Sequence, residues 1–134
     1  MYQSAHVDSF SRDNLPPPDQ WPDLPQSPDT QYPVRLNATA ELLDRMVERG
    51  FGDAIALRTD SAACTYYQLY VRVNQIAHAL RVRMGLVPGN RVLLRGTNNP
   101  MMAACLLATI KAGLVAVPTM PLLRARDLAP VVAK

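Results

Sequence analysis

The clearest periodic pattern in the chain is a stripe of apolar residues at spacings of four, three and four: Leu69, Val73, Ile76 and Leu80. This spacing predicts an amphipathic helix, because residues three and four apart lie on one helix face. Thr65 and Gln68 precede the stripe with the spacing of a capping box, and Gly85 marks the expected helix end. His78 lies beside the stripe, where we expect a surface or boundary residue rather than a ligand.

Residues 88–121 show a different pattern, in which apolar runs are separated by turn residues. Arg91–Arg95 and Leu114–Val117 are predicted to be short strands. Every residue from Met101 to Ile110 except Thr109 is apolar, so the helix between the strands should be buried. The order strand, helix, strand predicts a βαβ unit whose parallel strands are covered on both faces.

Turn residues mark both ends of this apolar helix. Asn99 suits the N-cap, and Pro100 suits the first helical position, where its missing N–H is not needed. Lys111 falls in the last turn, near the negative end of the helix dipole. Gly113 follows at a position where we expect a positive φ.

Weaker patterns precede these two regions. Asn37 is a candidate cap for a helix from Ala38 to Arg49, which Gly50 would end. Asp53–Asp60 alternates roughly as a strand does, and Ala63–Thr65 can pair with it, so we expect a β-hairpin.

The C-terminal residues predict one more helix. We expect it to begin near Asp127 as its cap, because Pro130 is then in the first turn. The sequence ends at Lys134 inside what resembles an unfinished βα unit. The expectation is therefore a fragment truncated at its C-terminus.

Residues 1–37 differ in composition from the rest and hold seven of the twelve prolines. Such a segment is not expected to form a helix or a central strand. Two alternatives remain: a disordered tail, or an extended strap held on the body by Trp21, Tyr32 and Leu36. The predicted division is thus a Pro-rich segment over 1–37 and an α/β domain over 38–134.

Charge and cysteine content narrow the possible functions. The net charge is +3, with −3 in residues 1–37 and +6 in the remainder, but the arginines are scattered. Without a basic cluster interleaved with aromatic residues, nucleic-acid binding is not expected. Cys64 and Cys105 suggest neither a disulfide framework nor a metal site. No signal peptide or membrane-spanning run is visible, so the expected location is cytoplasmic.

The order of turns and apolar runs resembles the N-terminal part of the adenylate-forming acyl- and aryl-CoA ligases, most nearly the benzoate and 2-aminobenzoate CoA ligase group. The residues that carry the resemblance are Pro88-Gly89, Arg91-Val92, Asn98-Asn99-Pro100, Lys111-Ala112-Gly113, Val117 and Pro121-Leu122-Leu123. It extends through Thr65–Leu80 and, more loosely, through Leu15–Leu43. Asn90 stands where the family usually has Asp, a small departure in an expected solvated turn.

The resemblance implies an α/β fold: a β-hairpin, then the first parallel strands and covering helices of an AMP-dependent synthetase N-terminal subdomain. It implies a full-length enzyme that uses ATP, Mg and coenzyme A to convert a carboxylic acid, here an aromatic one, into acyl-AMP and then acyl-CoA. The partners implied are the remainder of the ligase domain and, in the full-length enzyme, the acid and CoA.

The catalytic and nucleotide-binding motifs of that family are missing from this chain. The six glycines form neither GxGxxG nor GxxxxGK[ST], and Lys111 and Lys134, the only lysines, follow no glycine-rich loop. No catalytic, cofactor-binding or metal-binding residue is therefore assigned. Whether the chain is an enzyme in its own right stays open. The alternative is a small non-enzymatic α/β module that binds a protein partner.

Two segments could still face a ligand, because each follows a predicted strand at the same sheet edge. Gly96–Asn99 joins a strand to a helix N-terminus, but a helix cap with a glycine turn explains it better. Thr119–Leu123 leaves the next strand, and its apolar residues favour packing in the core or against another domain.

Overall fold

A computed structural model of the chain describes residues 4–23 and 32–133. Its strands and α-helices are α1 (Phe10–Asp13), β1 (Ile55–Arg58), β2 (Ala63–Thr65), α2 (Tyr66–His78), β3 (Arg91–Arg95), α3 (Pro100–Lys111), β4 (Val115–Thr119) and α4 (Ala125–Val132). Within the described ranges the strands form one antiparallel pair, β1 with β2, and one parallel pair, β3 with β4. The predicted α/β class, with a hairpin followed by a βαβ unit, is confirmed.

The body begins with a helical stretch over residues 38–51, in which Ala40–Asp44 and Val47–Phe51 form wide π-type turns. Asn37 caps it as predicted: its Oδ1 accepts hydrogen bonds from the backbone N–H groups of Thr39 and Ala40. Gly50 has φ 86°, which ends the regular helix at the predicted glycine.

Asn37 also joins this stretch to α3. Its Nδ2 donates to the carbonyl oxygens of Ile110 and Lys111 at 3.2 and 3.1 Å. These carbonyls lie at the C-terminal end of α3, where no further helical turn supplies N–H groups to donate to them. One side chain therefore satisfies backbone groups at the ends of two helices.

The predicted capping box opens α2. The Thr65 hydroxyl accepts from the backbone N–H of Gln68 at 3.2 Å, and the side-chain Oε1 of Gln68 accepts from the backbone N–H of Thr65 at 3.0 Å. A further wide turn, Ala79–Arg83, extends the helix to Gly85, whose φ is 66°. His78 is exposed, as expected.

The βαβ unit also forms as predicted, except that β4 begins at Val115 and runs through Pro118 to Thr119 instead of ending at Val117. Strands β3 and β4 are parallel and in register from Arg91 opposite Val115 to Arg95 opposite Thr119. Asn99 caps α3 by accepting from Met102 N–H at 2.9 Å. Gly113 has the expected positive φ, 75°.

Helices α2 and α3 pack on the 38–51 stretch to form the core. The buried cluster consists of Leu43, Leu69, Val73, Ala77, Ala104 and Ala108. The expectation that α3 is buried all round is only partly met. Ala104, Ala108 and Thr109 are buried, most of its other apolar residues are half-buried, and Met101 is exposed. In β3, Leu94 is buried but Leu93 is exposed, so the sheet is not covered on both faces.

The position of α4 corrects the sequence prediction. The helix begins at Ala125 with Arg124 as its cap, two residues before the expected start. Asp127 occupies the third helical position, and its carboxylate reaches back to accept from Arg124 N–H at 2.9 Å. An Asp residue is favourable both at the N-cap and at the third helical position. The start of α4 predicted from Asp127 is therefore too late in the sequence. Pro130 therefore lies inside the helix rather than in its first turn.

The N-terminal segment also differs from expectation. Trp21, Tyr32 and Leu36, the predicted anchors, are 54%, 71% and 42% exposed. The indole N–H of Trp21 instead donates to Pro16 O within the same segment. Short helices form at Phe10–Asp13 and Pro18–Gln20 although neither was expected, since one turn needs no long proline-free run. Contacts with the body come from Val7, Asp8 and Phe10.

In the parts of the chain that the structure describes, no helix combines the length and the apolar content needed to cross a membrane.

Candidate functional site

The sheet edge singled out by the sequence holds an open cavity of about 600 Å³. It lies at the C-terminal ends of β3 and β4 and is lined by residues 96–98 and 118–122. The two candidate segments, Gly96–Asn99 and Thr119–Leu123, therefore do meet at one edge. This follows from the parallel pairing, which brings the ends of both strands to the same side.

Most polar groups at this edge already serve the fold. Asn99 caps α3 through Oδ1, and its Nδ2 donates to Thr97 Oγ1 at 3.2 Å. The Thr119 hydroxyl donates to Leu94 O at 3.2 Å, which links the two strands. This arrangement favours the structural interpretation of Gly96–Asn99 as a capped helix entry.

Arg95 connects the two sides of the cavity. Its Nη2 donates to the carbonyl oxygens of Pro121 and Leu123 at 2.7 and 2.9 Å. The guanidinium group thus holds the turn after β4 against the end of β3. No sequence pattern indicates this role of Arg95, because the backbone oxygens that it binds lie 26 and 28 residues away.

Apolar side chains in the same turn face solvent. Met120 is 64% exposed and Leu122 is 89% exposed. Core packing, one of the two expectations for Thr119–Leu123, is therefore wrong for these two residues. Packing against another domain stays a prediction.

A second open cavity of about 540 Å³ lies on α2 and α3. Its lining includes Tyr67, Val71 and Met101, which are exposed apolar residues, together with Arg72 and Gln75. Cys64 also borders it and, like Cys105, is a free, half-buried thiol. The cavity is shallow and mostly apolar, which is typical of a contact surface rather than a catalytic centre.

Ion pairs among the described residues link distant parts of the fold, Asp8 with Arg91 and Asp44 with Lys111. Lys111 Nζ binds both carboxylate oxygens of Asp44 at 2.7 Å and lies 4.9 Å from the centre of the Tyr70 ring. This pair ties α3 to the 38–51 stretch, a partnership that the expected dipole role of Lys111 did not include. Among the described residues, no three His, Cys, Asp or Glu side chains come together to hold a metal ion.

One acidic group has a perturbed environment. The backbone N–H of Phe10, the Asn90 side chain and the Arg91 guanidinium together lower the pKa of Asp8 below its usual 3.8, against a smaller opposing effect of burial. Each of these donors favours the charged carboxylate. Asp8 lies at the start of β3, away from the cavity at the other end of the strand.

Comparison with known proteins now adds to this geometry. Residues 43–134 match the family model for the AMP-binding enzymes. The match covers the hairpin, the βαβ unit and α4, which is more than half of the chain. The chain belongs to the AMP-binding enzyme family. The resemblance inferred from residues 88–123 is therefore confirmed.

Individual AMP-binding enzymes show how much of the family this chain represents. It is 33% identical to the benzoate–CoA ligase of Thauera aromatica over 100 residues, covering 75% of this chain and 19% of that protein. It is 36% identical to the acetyl-coenzyme A synthetase of Streptomyces coelicolor over 83 residues, covering 58% of this chain and 13% of that protein. The chain thus spans about a fifth of the length of the first of these relatives.

A solved structure agrees with the fold. The benzoate CoA ligase of Burkholderia xenovorans LB400 superimposes with a TM-score of 0.65 at 25% identity, over 74% of this chain and 20% of that one. This chain therefore has the fold of the N-terminal subdomain of adenylate-forming enzymes.

Proposed function

We propose that this chain forms the N-terminal scaffold of an ATP-dependent acid–CoA ligase that acts on an aromatic carboxylic acid. The full-length enzyme would convert the acid to acyl-AMP and then to acyl-CoA. The observation that carries the proposal is the family match over residues 43–134, supported by the 33% identity to a benzoate–CoA ligase. The chain alone would be inactive.

The partner in this proposal is the remainder of the ligase domain. Apolar residues left uncovered on β3, α3 and the turn after β4 support it: Leu93, Met101, Met120 and Leu122. The uncovered residue of β3 is the strongest support among them, because parallel strands are normally covered on both faces. The same residues would suit the alternative of a separate protein partner, but the family match favours a ligase domain.

ATP, Mg and CoA would be bound outside the described residues. This part of the proposal is supported by the sequence, which holds no phosphate-binding glycine motif. In this proposal residues 38–134 supply the scaffold, residues 1–37 precede it, and the enzyme works in the cytoplasm.

The proposal is tested by ATP–pyrophosphate exchange with benzoate, 2-aminobenzoate, acetate and short fatty acids. We expect no exchange from the purified chain, because losing even one transition-state donor typically costs about 100- to 1000-fold and here the whole set is missing. We expect acid-dependent exchange when the gene's reading frame beyond Lys134 is expressed with it. Acid-dependent exchange by the chain alone would refute the scaffold role, and a preference for acetate would refute the aromatic substrate.

A further inference from the structure

A short part of the N-terminal segment, Val7–Phe10, docks on the turn that leads into β3. These four residues alone are called the strap from this point, in place of the longer strap expected over residues 1–37. The backbone N–H groups of Val7 and Asp8 both donate to Pro88 O at 2.9 Å. These contacts join residues about 80 positions apart in the sequence. They lie far from the cavity at the opposite end of β3.

The carboxylate of Asp8 is the centre of this docking. Its Oδ2 accepts from Asn90 Nδ2 at 2.8 Å and from Arg91 Nη1 at 2.6 Å, while Oδ1 accepts from Phe10 N–H at 3.0 Å. Asn90 is fixed in turn, because its Oδ1 accepts from Val87 N–H at 2.9 Å. Asn90 is half-buried, and its side chain makes hydrogen bonds to both Asp8 and Val87. The expectation that Asn90 is a small departure in a solvated turn is therefore wrong.

Close approach of the strap depends on a glycine. Gly89 is buried, and a Cβ at this position would overlap the carbonyl oxygen of Asp8. Its φ of 94° and the adjacent strap each favour glycine, for separate reasons. Gly85 offers a comparison, since its φ is also positive but a Cβ there would meet nothing within 4 Å.

Docking places Phe10 over the sheet. Its ring lies 4.4 Å from the Arg91 guanidinium carbon, and the same ring borders an apolar groove of about 410 Å³. The groove is also lined by Leu93 and Val117 of the sheet and by Val131 and Val132 of α4. Phe10 therefore closes one end of the open face of β3 and β4.

We propose that the strap is a charge-locked cover for this open sheet face, and that Asp8 and Asn90 are the matched pair that closes the lock. An amide at position 90 can donate to a carboxylate at position 8. A carboxylate at position 90 would instead face Asp8 across the same short distance, where two like charges repel. The pair thus decides whether Phe10 lies on the sheet or leaves it.

The test is hydrogen–deuterium exchange of the full chain, read at the amides of Val7 and Asp8. In the unaltered chain both amides should be protected. In Asn90→Asp, exchange at both should accelerate by up to about fivefold, the upper end of what an exposed ion-paired contact contributes. Added salt should accelerate it in the unaltered chain in the same direction.

Swapping the side chains of positions 8 and 90 provides the decisive variant. In the double variant Asp8→Asn, Asn90→Asp, the amide lies on the strap and the carboxylate on the turn, so a donor again faces an acceptor. Part of the protection lost in Asn90→Asp should return, because the repulsion is removed but the ion pair of Asp8 with Arg91 is lost as well. Asp13→Asn is the matched control, because Asp13 accepts from Ser9 within the N-terminal segment, and it should leave the exchange unchanged.

Two further observations separate the lock from general destabilisation. Gly89→Ala should release the strap, whereas Gly85→Ala, which carries a similar φ penalty, should not. Amides of β3 and α3 report on the body in the same measurement. The proposal is overturned if Val7 and Asp8 exchange freely in the unaltered chain, if Asn90→Asp leaves them protected, or if body protection falls with strap protection and the double variant restores neither.

Discussion

At the scale of single residues, Gly113 shows how one backbone angle supports the βαβ unit. Its φ of 75° follows the C-terminal end of α3, and a Cβ would lie 3.4 Å from Pro88 Cβ. We expect Gly113→Val to lower the free energy of unfolding by about 1–3 kcal/mol, because β-branched residues are strained at positive φ. Urea denaturation measures this loss.

Gly52→Val is the control for that measurement. Gly52 has a helical φ of −52°, and a Cβ there would meet Tyr67 Cβ at an ordinary 3.6 Å. It should cost clearly less than Gly113→Val. Equal losses at the two positions would mean that φ is not the cause.

Asp8 provides a prediction about pH. Its folded pKa lies below 3.8, so strap docking is complete at neutral pH and is lost as the pH falls through that lowered value. Arg91 is the charged group that faces Asp8. An NMR titration of the Asp8 carboxyl carbon should therefore give a midpoint below 3.8. A midpoint at or above 3.8 would contradict the docked geometry.

At the scale of helices and strands, the close contact of α2 with α3 depends on small residues. Ala104 and Ala108 are 1% and 0% exposed and belong to the cluster that contains Leu69 and Val73. Ala108→Leu should cost about 1–3 kcal/mol through overpacking. Ala103→Leu adds the same atoms at a half-buried position of α3 and should cost less. Thermal melts of the two variants test this, and equal shifts would argue against tight packing at Ala108.

Elements with local signals could be predicted from the sequence. The capping box of Thr65 and Gln68 and the Asn99 cap depend on residues within a few positions of one another. Each parallel strand is marked by its own local apolar run, although the pairing joins residues far apart in the sequence. The docking of the strap could not be predicted, because Asp8 and Asn90 are 82 positions apart. Trp21 and Tyr32 are the expected anchors, but both are exposed, and the charged side chain of Asp8 contacts the body instead.

The candidate site was predictable in place but not in chemistry. Parallel pairing brings Gly96–Asn99 and Thr119–Leu123 to one edge, as their positions after two strands indicated. What the sequence could not show is that Arg95 spans that edge and binds the carbonyl oxygens of Pro121 and Leu123. Long side chains that bind backbone atoms have no residue pattern by which they could be recognised.

At the scale of the whole molecule, large apolar side chains remain exposed to solvent on several elements of the described chain. Leu93, Met101 and Leu122 are exposed on three different elements, although parallel strands are normally covered on both faces. We therefore expect the isolated chain to bind the dye ANS and to associate at high concentration. Expression together with the rest of a ligase domain should reduce both effects.

Two substitutions in β3 test the expectation that the isolated chain binds ANS. Leu93 lies on the open face of β3 and borders the groove that Phe10 and α4 leave partly open, so Leu93→Thr should lower ANS fluorescence while introducing a β-branched residue that suits a strand. Leu94→Thr, at a buried position of the same strand, should instead raise the fluorescence by loosening the core. A monomeric chain that melts in one sharp transition and binds no ANS would show that this chain needs no covering domain.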